Sequence, residues 1–136
     1  MHPQGIPELA GNGRLGNVIG NPLETTIFLS HLIFDRTLAR YPGLKICGAH
    51  GGGYLPSYAD RSDHGCSAGP GCDPKPLKEQ PTEYLRQQIY VDSLIFSPEA
   101  LRHLVAQCDV SKIMIGTDFP FRGPTHQWTT SWAHPA

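Results

Sequence analysis

The sequence has 136 residues, which is enough for one ordinary domain with a hydrophobic core. The formal net charge is -1 at pH 7, so the charge balance indicates neither a nucleic-acid partner nor an acidic membrane surface. No apolar run approaches the roughly 20 residues that a membrane-spanning helix needs, and no membrane association is expected.

The first residues and the cysteines indicate a cytoplasmic protein. Met1–Gly5 contains neither a basic region nor an apolar stretch, so a signal peptide is not expected. The four cysteines are too few and too scattered for a disulfide framework, and free thiols are expected instead. They lie at Cys47, Cys66, Cys72 and Cys108.

A long helix is predicted over Asn21–Arg40. Asn21 suits the N-cap position, Pro22 the first helical position and Glu24 the third position of a capping box. His31 lies within the apolar face of this helix and is predicted to be a core or interface residue. The other members of that face are Ile27, Phe28, Leu32, Phe34 and Leu38.

Strands and helices alternate along the rest of the chain, and this order predicts parallel strands with helical crossovers. A closed (β/α)8 barrel needs about 250 residues, so three strands form either a small open domain or part of a larger fold. The third strand should be buried on both faces because it is a continuous apolar run. The predicted strands are Leu44–Ala49, Ile89–Val91 and Lys112–Ile115; the helices are Leu55–Asp60, Glu83–Gln88 with Thr82 as cap, and one opened by Ser97-Pro98-Glu99. A loop is predicted over His64–Pro81, and residues 122–136 are predicted to be a disordered tail.

Each predicted strand is followed by a residue that can bind a metal ion: His50, Asp92 and Asp118. Histidine and aspartate are common ligands of catalytic zinc, and metal-bound water ionises near neutral pH. Strand ends also carry polar residues for structural reasons, so spacing alone leaves the metal site and a structural role open. The glycines after His50 are expected to let the backbone approach a ligand closely.

Two further patterns are weaker. His50–Gly53 resembles the oxyanion-hole motif of esterases and Gly65–Gly69 fits G-x-S-x-G, which together predict a serine esterase as a minor alternative. The flanking residues are polar or rich in glycine and proline, whereas a nucleophile elbow needs a strand before the serine. A structural zinc on His64, Cys66 and Cys72 lacks an evident fourth ligand, so unpaired thiols are favoured.

Ala49–Gly53 (AHGGG) and Ile115–Phe121 (IGTDFPF) resemble motifs of the amidohydrolase-related family, in the branch of aminocarboxymuconate semialdehyde decarboxylase and related aromatic-acid decarboxylases and hydratases. The resemblance covers Met1 to about Phe121. It implies an α/β fold that is the C-terminal part of a (β/α)8 barrel, with about three strands and the barrel incomplete. Residues 1–121 would form this partial barrel domain.

The resemblance also implies roles for individual residues. Asp118 and His2 match metal ligands, His50 matches the histidine that orients or deprotonates metal-bound water, and Asp118 is counted with His50 as catalytic. Arg61 matches an arginine that binds a substrate carboxylate in the neighbouring subunit, which implies a homodimer of the full-length form. The metal would be divalent, zinc first and manganese second, and the substrate a small carboxylate.

The sequence departs from the family at one pair of ligands. The family's first-strand H-x-H pair is absent, because none of the seven histidines lies two residues from another. The resemblance implies a metal-dependent lyase (carboxy-lyase) or hydrolase acting on an aromatic or unsaturated carboxylate. With two of four ligands, this chain alone is expected to be inactive and to bind metal weakly, and the alternative is a non-catalytic barrel remnant or interaction module.

Overall fold

The computed structural model describes residue 9 and residues 14–68 and 77–117. The helices are α1 (Asn21–Phe34), α2 (Thr37–Arg40), α3 (Leu55–Ala68), α4 (Pro81–Gln87) and α5 (Pro98–Cys108). The strands are β1 (Ile46–Gly48), β2 (Ile89–Asp92) and β3 (Ile113–Met114), and short irregular helical turns lie at Gly16–Gly20, His50–Gly52 and Val110–Lys112. Within these ranges, no helix combines the length and apolar character needed to cross a membrane.

The three strands form one parallel sheet in the order β1-β2-β3. Ile46 of β1 lies opposite Ile89 of β2, and Val91 of β2 lies opposite Ile113 of β3. The predicted parallel α/β arrangement is therefore confirmed, with each strand close to its predicted position. The sheet edge formed by the carboxyl ends of parallel strands is where α/β folds place their sites.

The hydrophobic core lies between one face of the sheet and the helices. Along β2, Ile89 and Val91 are buried while Tyr90 and Asp92 are only partly buried, so the helices cover a single face. Burial raises the pKa of the Cys108 thiol to about 11. The buried apolar residues are Leu29, Ile33, Leu38, Leu55, Ala59, Tyr84, Leu85, Ile89, Val91, Leu104 and Cys108.

The helix predicted over Asn21–Arg40 is divided in two. Arg36 adopts φ +62°, and this left-handed residue separates α1 from α2. Asn21 is not an N-cap, because the preceding Gly16–Gly20 turn is already helical and Gly20 occupies the cap position. An N-cap residue needs an extended backbone to present its side chain to the first free N–H groups, and this backbone is not extended.

The predicted apolar face of α1 is partly wrong. Leu38 is buried and Leu32 packs against the core, but Ile27, Phe28 and Phe34 are 46%, 48% and 42% exposed. His31 is exposed rather than buried, and its Nδ1 lies 3.0 Å from Asp35 Oδ2. The buried side is instead fixed by Leu29 and Ile33, because Leu29 packs directly against Gly48 at the end of β1.

Helix α3 is longer than predicted and occupies the start of the predicted loop. Its Asp63 carboxylate accepts hydrogen bonds from Thr82 N at 3.0 Å and from Thr82 Oγ1 at 2.7 Å. Thr82 is therefore a buried residue inside α4, whose N-cap position belongs to Gln80. The predicted start of α5 is confirmed, since Ser97 Oγ accepts a hydrogen bond from Ala100 N.

Strand β3 is not buried on both faces. Ile113 is partly buried, Met114 is 50% exposed and Ile115 is 93% exposed. The prediction failed because β3 is an edge strand of the described sheet, paired with β2 alone. Its apolar run nevertheless formed a strand at the predicted place.

Candidate active site

The carboxyl ends of the three strands meet at one edge of the sheet. β1 leads into His50, β2 ends in Asp92 and β3 leads to Gly116. His50 N lies 3.0 Å from Asp92 Oδ2, and a Cβ built on Gly116 would lie 3.0 Å from the Asp92 Cβ. Of the residues predicted to follow the three strands, His50 and Asp92 lie together, whereas Asp118 lies outside the described residues.

The backbone from His50 to Gly53 is left-handed throughout. The φ angles are +58°, +62°, +79° and +65° for His50, Gly51, Gly52 and Gly53. Glycine tolerates such angles, whereas they strain a residue with a Cβ. The glycines also admit protein neighbours: a Cβ on Gly51 would lie 2.8 Å from Ile95. Here the atoms that approach the glycines belong to protein side chains, and the expected approach to a ligand stays a prediction.

The carboxylate of Asp92 holds this turn. Oδ2 accepts a hydrogen bond from His50 N at 3.0 Å, and Oδ1 accepts from Gly51 N at 2.7 Å and Leu94 N at 3.1 Å. Hydrogen bonds to a charged acceptor are stronger than neutral ones. Asp92 is therefore engaged by the main chain, which fits the structural role that the sequence left open for it.

The side chain of His50 contacts helix α1. His50 Nδ1 lies 3.0 Å from Thr25 Oγ1, and the imidazole is half-buried. Across the described residues, no hydrogen bond to Nε2 is present. Thr25 was not among the predicted site residues, because its signal in the sequence is no more than a place on the helix before β1.

Thr26, the next residue of α1, fixes the other end of the turn. Its hydroxyl donates to Pro22 O at 2.8 Å and accepts from Tyr54 N at 2.7 Å. Gly53 packs so closely on this helix turn that a Cβ would collide with the Pro22 carbonyl and the Thr26 hydroxyl. The turn is thus held between Asp92 on one side and α1 on the other.

Gly53→Ala is expected to lower the free energy of unfolding by about 2–3 kcal/mol, since alanine adds backbone strain at positive φ and a collision with a main-chain carbonyl. Urea denaturation followed by circular dichroism measures the change. Gly43→Ala is the matched control, because a Cβ there meets nothing within 4 Å. Equal midpoints for the two variants would show that the turn does not need glycine.

The other predicted site residues are only partly within the described structure. Arg61 lies exposed on α3, eleven residues after His50. His2 and Asp118 lie outside the described residues, as does the predicted tail over 122–136. In residues 14–68 and 77–117, no group of three His, Cys, Asp or Glu side chains can hold a metal ion.

The serine esterase prediction is wrong. Ser67 lies in α3, and its hydroxyl donates to the carbonyl oxygens of Asp63 and His64 at 3.1 Å. A nucleophile elbow requires a sharp strand-to-helix turn that exposes the serine. His64 and Cys66 also lie in α3, whereas Cys72 lies outside the described residues.

Cys47 is a second candidate nucleophile by its place on β1. Partial burial, and secondly the carboxylate of Asp92, raise the pKa of this thiol. The thiolate is the reactive form of cysteine, so the raised pKa lowers the fraction of Cys47 that is in this form.

Comparisons with known proteins show which proteins this chain is similar to, although no family model matches the sequence. The chain is similar to 2-amino-3-carboxymuconate-6-semialdehyde decarboxylase of Dictyostelium discoideum, with 36% identity over 126 residues, 89% of this chain and 34% of that protein. A crystal structure of 5-carboxyvanillate decarboxylase from Sphingomonas paucimobilis is 27% identical with a TM-score of 0.78, covering 99% of this chain and 43% of that one.

A third similar protein is dihydroxybenzoic acid decarboxylase from Polaromonas sp. JS666, with bound manganese and the inhibitor 2-nitroresorcinol. It is 26% identical with a TM-score of 0.75, covering 93% of this chain and 40% of that one. The chain therefore spans between a third and a little over two fifths of these relatives. The likeness confirms the prediction that the described α/β sheet is part of a (β/α)8 barrel.

Proposed function

Because this chain belongs to the amidohydrolase-related family, in the branch of aminocarboxymuconate semialdehyde decarboxylase, we propose that it supplies part of the active site of a metal-dependent decarboxylase. The substrate class is a small aromatic or unsaturated carboxylate, in keeping with the names of its relatives. The observation that carries the proposal is the placement of His50. Its main chain is fixed by Asp92 and its ring by Thr25, at the sheet edge where α/β barrels do their chemistry.

The proposed metal ligands are His2 and Asp118. Imidazole and carboxylate are donors that suit zinc and manganese alike, and a divalent ion is supported by the manganese in the Polaromonas relative. The described residues do not themselves form a metal site, and Asp92 is occupied by N–H groups, so the fit depends on these two residues. When bound, such an ion polarises a substrate oxygen or activates water. Zinc is the metal that we propose first, because histidine and aspartate are common ligands of catalytic zinc.

His50 is proposed to be the acid/base. When a carboxylate leaves as CO2, the bonding electrons remain on the ring carbon, which must then gain a proton. A histidine beside that carbon can hold this proton on Nε2 and deliver it, and general acid/base groups contribute about 10²–10⁴-fold. The half-buried position of His50 keeps the ring beside the sheet edge while one nitrogen faces no described partner.

Arg61 is proposed to bind a substrate carboxylate. Its exposure on α3 is compatible with service to a neighbouring subunit, and the planar guanidinium can form two parallel hydrogen bonds to a carboxylate. This role would make the active form a homodimer. The thiol of Cys47 is not in a disulfide, which is in keeping with the proposed cytoplasmic location.

A chimera tests the function: the matched segment of the Dictyostelium protein is replaced by the corresponding residues of this chain. The chimera is expected to bind a divalent metal and to release CO2 from an aromatic or unsaturated carboxylate, because the family's H-x-H pair, which this chain lacks, is expected in the rest of the relative. The 136-residue chain alone is expected to bind metal weakly and release none. A folded, metal-loaded chimera without turnover would favour the alternative of a non-catalytic barrel remnant.

A further inference from the structure

We propose that Ser93 is a positioning residue for Asp118: its hydroxyl holds the main chain at Gly116, two residues before this proposed metal ligand. The contact that carries the inference is the hydrogen bond from Gly116 N to Ser93 Oγ, at 3.2 Å. Ser93 directly follows β2 and Gly116 comes shortly after β3, so the bond joins the carboxyl ends of two neighbouring strands. The inference rests on the proposed function, because a fixed position for Asp118 matters only if this residue binds the metal.

Gly116 also packs directly against the end of β2. A Cβ built on Gly116 would lie 3.0 Å from Asp92 Cβ and 3.3 Å from Leu94 Cγ. Gly116 is not among the glycines with positive φ, so the glycine provides close approach here rather than an unusual backbone angle. The hydrogen bond to Ser93 and this packing contact therefore place the main chain at Gly116 independently of each other.

The residues that receive Gly116 form a closed turn, residues 92–95, which we call the β2 exit turn. Leu94 N donates to Asp92 Oδ1 at 3.1 Å, and Ile95 N donates to Ser93 O at 2.8 Å. A turn closed by its own hydrogen bonds presents its side chains in fixed directions. The Ser93 hydroxyl is thus held by a rigid segment.

The β2 exit turn also holds the end of β1. The Asp92 carboxylate accepts hydrogen bonds from His50 N at 3.0 Å and from Gly51 N at 2.7 Å. Asp92 and Ser93 are adjacent in the chain, so one turn binds the main chain of His50 on one side and that of Gly116 on the other. The turn therefore sets the distance between these two main-chain positions.

Covalent geometry carries this constraint to Asp118. Each residue of an extended chain advances by at most about 3.6 Å, so the Asp118 Cα can lie no more than about 7 Å from the Gly116 Cα. A group that serves a functional site must be held within about 0.5 Å of its productive position. A shift of Gly116 would thus move the proposed metal ligand relative to the proposed acid/base, His50, and weaken metal binding.

Titration of the metal-free chimera with manganese alone tests the inference. Ser93→Ala is expected to lower the affinity about tenfold, since residues that orient metal ligands typically contribute about 10–100-fold to metal affinity. Ser93→Thr keeps the hydroxyl and should restore the affinity of the unmodified chimera. The matched control is Ser111→Ala, at an exposed position before β3, which should leave the affinity unchanged. Urea denaturation of each metal-free variant separates a loss of affinity from a loss of folding.

A folded Ser93→Ala variant that binds manganese as tightly as the unmodified chimera would overturn the inference, and so would an equal loss in Ser93→Thr. If Ser93→Ala does not fold, Gly116→Ala decides, because its added methyl group meets Asp92 and should also lower the affinity. Unchanged affinity in Gly116→Ala would then overturn the inference.

The titration also separates this inference from the proposed function. A folded chimera without bound metal would overturn both, since Asp118 would then be no ligand. A metal-loaded, inactive chimera whose affinity depends on Ser93 would overturn the proposed reaction alone. An active chimera whose affinity is independent of Ser93 would overturn this inference alone.

Discussion

Asp118→Asn in the chimera is expected to remove the bound metal and to lower decarboxylation by about a thousandfold or more. The substitution takes away the charge of a proposed ligand, and a bound metal contributes several kcal/mol of transition-state stabilisation, where about 1.4 kcal/mol corresponds to a factor of ten. Metal content by elemental analysis and the rate of CO2 release measure the two effects.

His50→Gln provides the matched comparison. It should retain the metal, because His50 is proposed as the acid/base and not as a ligand, and should lose turnover by about 10²–10⁴-fold. If Asp118→Asn kept full metal content and full turnover, the assignment of Asp118 as a ligand would be wrong. If His50→Gln lost the metal as well, His50 would have to be assigned as a metal ligand, in place of or in addition to its acid/base role.

Asp92→Ala is expected to lower the free energy of unfolding of the 136-residue chain by about 3–4 kcal/mol. The substitution deprives His50 N, Gly51 N and Leu94 N of their acceptor, and a hydrogen bond to a charged group contributes about 1.5–3 kcal/mol. The three bonds share one carboxylate, so their loss is less than additive. Urea denaturation measures the change.

Asp92→Asn retains one carbonyl oxygen as acceptor and should fall between wild type and the alanine variant. The control is Asp60→Ala, at an exposed position of α3, which should change stability by no more than about 0.5 kcal/mol. A loss for Asp92→Ala no larger than that for Asp60→Ala would show that the turn is held without the carboxylate.

Local patterns predicted the elements of this fold well. The alternation of apolar runs placed all three strands, and the Ser97-Pro98 signal placed the start of α5, because each depends on residues close together in the chain. The predicted helix boundaries were wrong where contacts between residues far apart in the sequence determine them. Helix α3 continues past Asp60 because its Asp63 binds Thr82, 19 residues later, and no local pattern records such a bond.

The site was predictable only in outline. Alternation of strands and helices brings His50 and Asp92 to one edge, and this was expected from topology. The structural role of Asp92 could not be predicted from the sequence. Its carboxylate binds main-chain N–H groups 41 and 42 residues away, and the residues next to Asp92 do not distinguish this role from that of a metal ligand. The contact between Thr25 and His50 joins residues 25 positions apart, and it depends on which side of α1 faces the sheet. Periodicity alone predicted that side incorrectly, because Ile27 and Phe28 are exposed.

The order β1-β2-β3 also bears on how the sheet assembles. Pairing Ile46 with Ile89 closes a loop of 43 residues (89 − 46), and pairing Val91 with Ile113 closes one of 22 (113 − 91). Loop-closure entropy grows by only about 0.6 kcal/mol for each doubling of length. The two closures thus differ by less than a single buried methylene contributes, about 0.8 kcal/mol. The entropy of loop closure therefore favours neither strand pairing by much. The order in which the two pairings form is set by the side chains that each one buries.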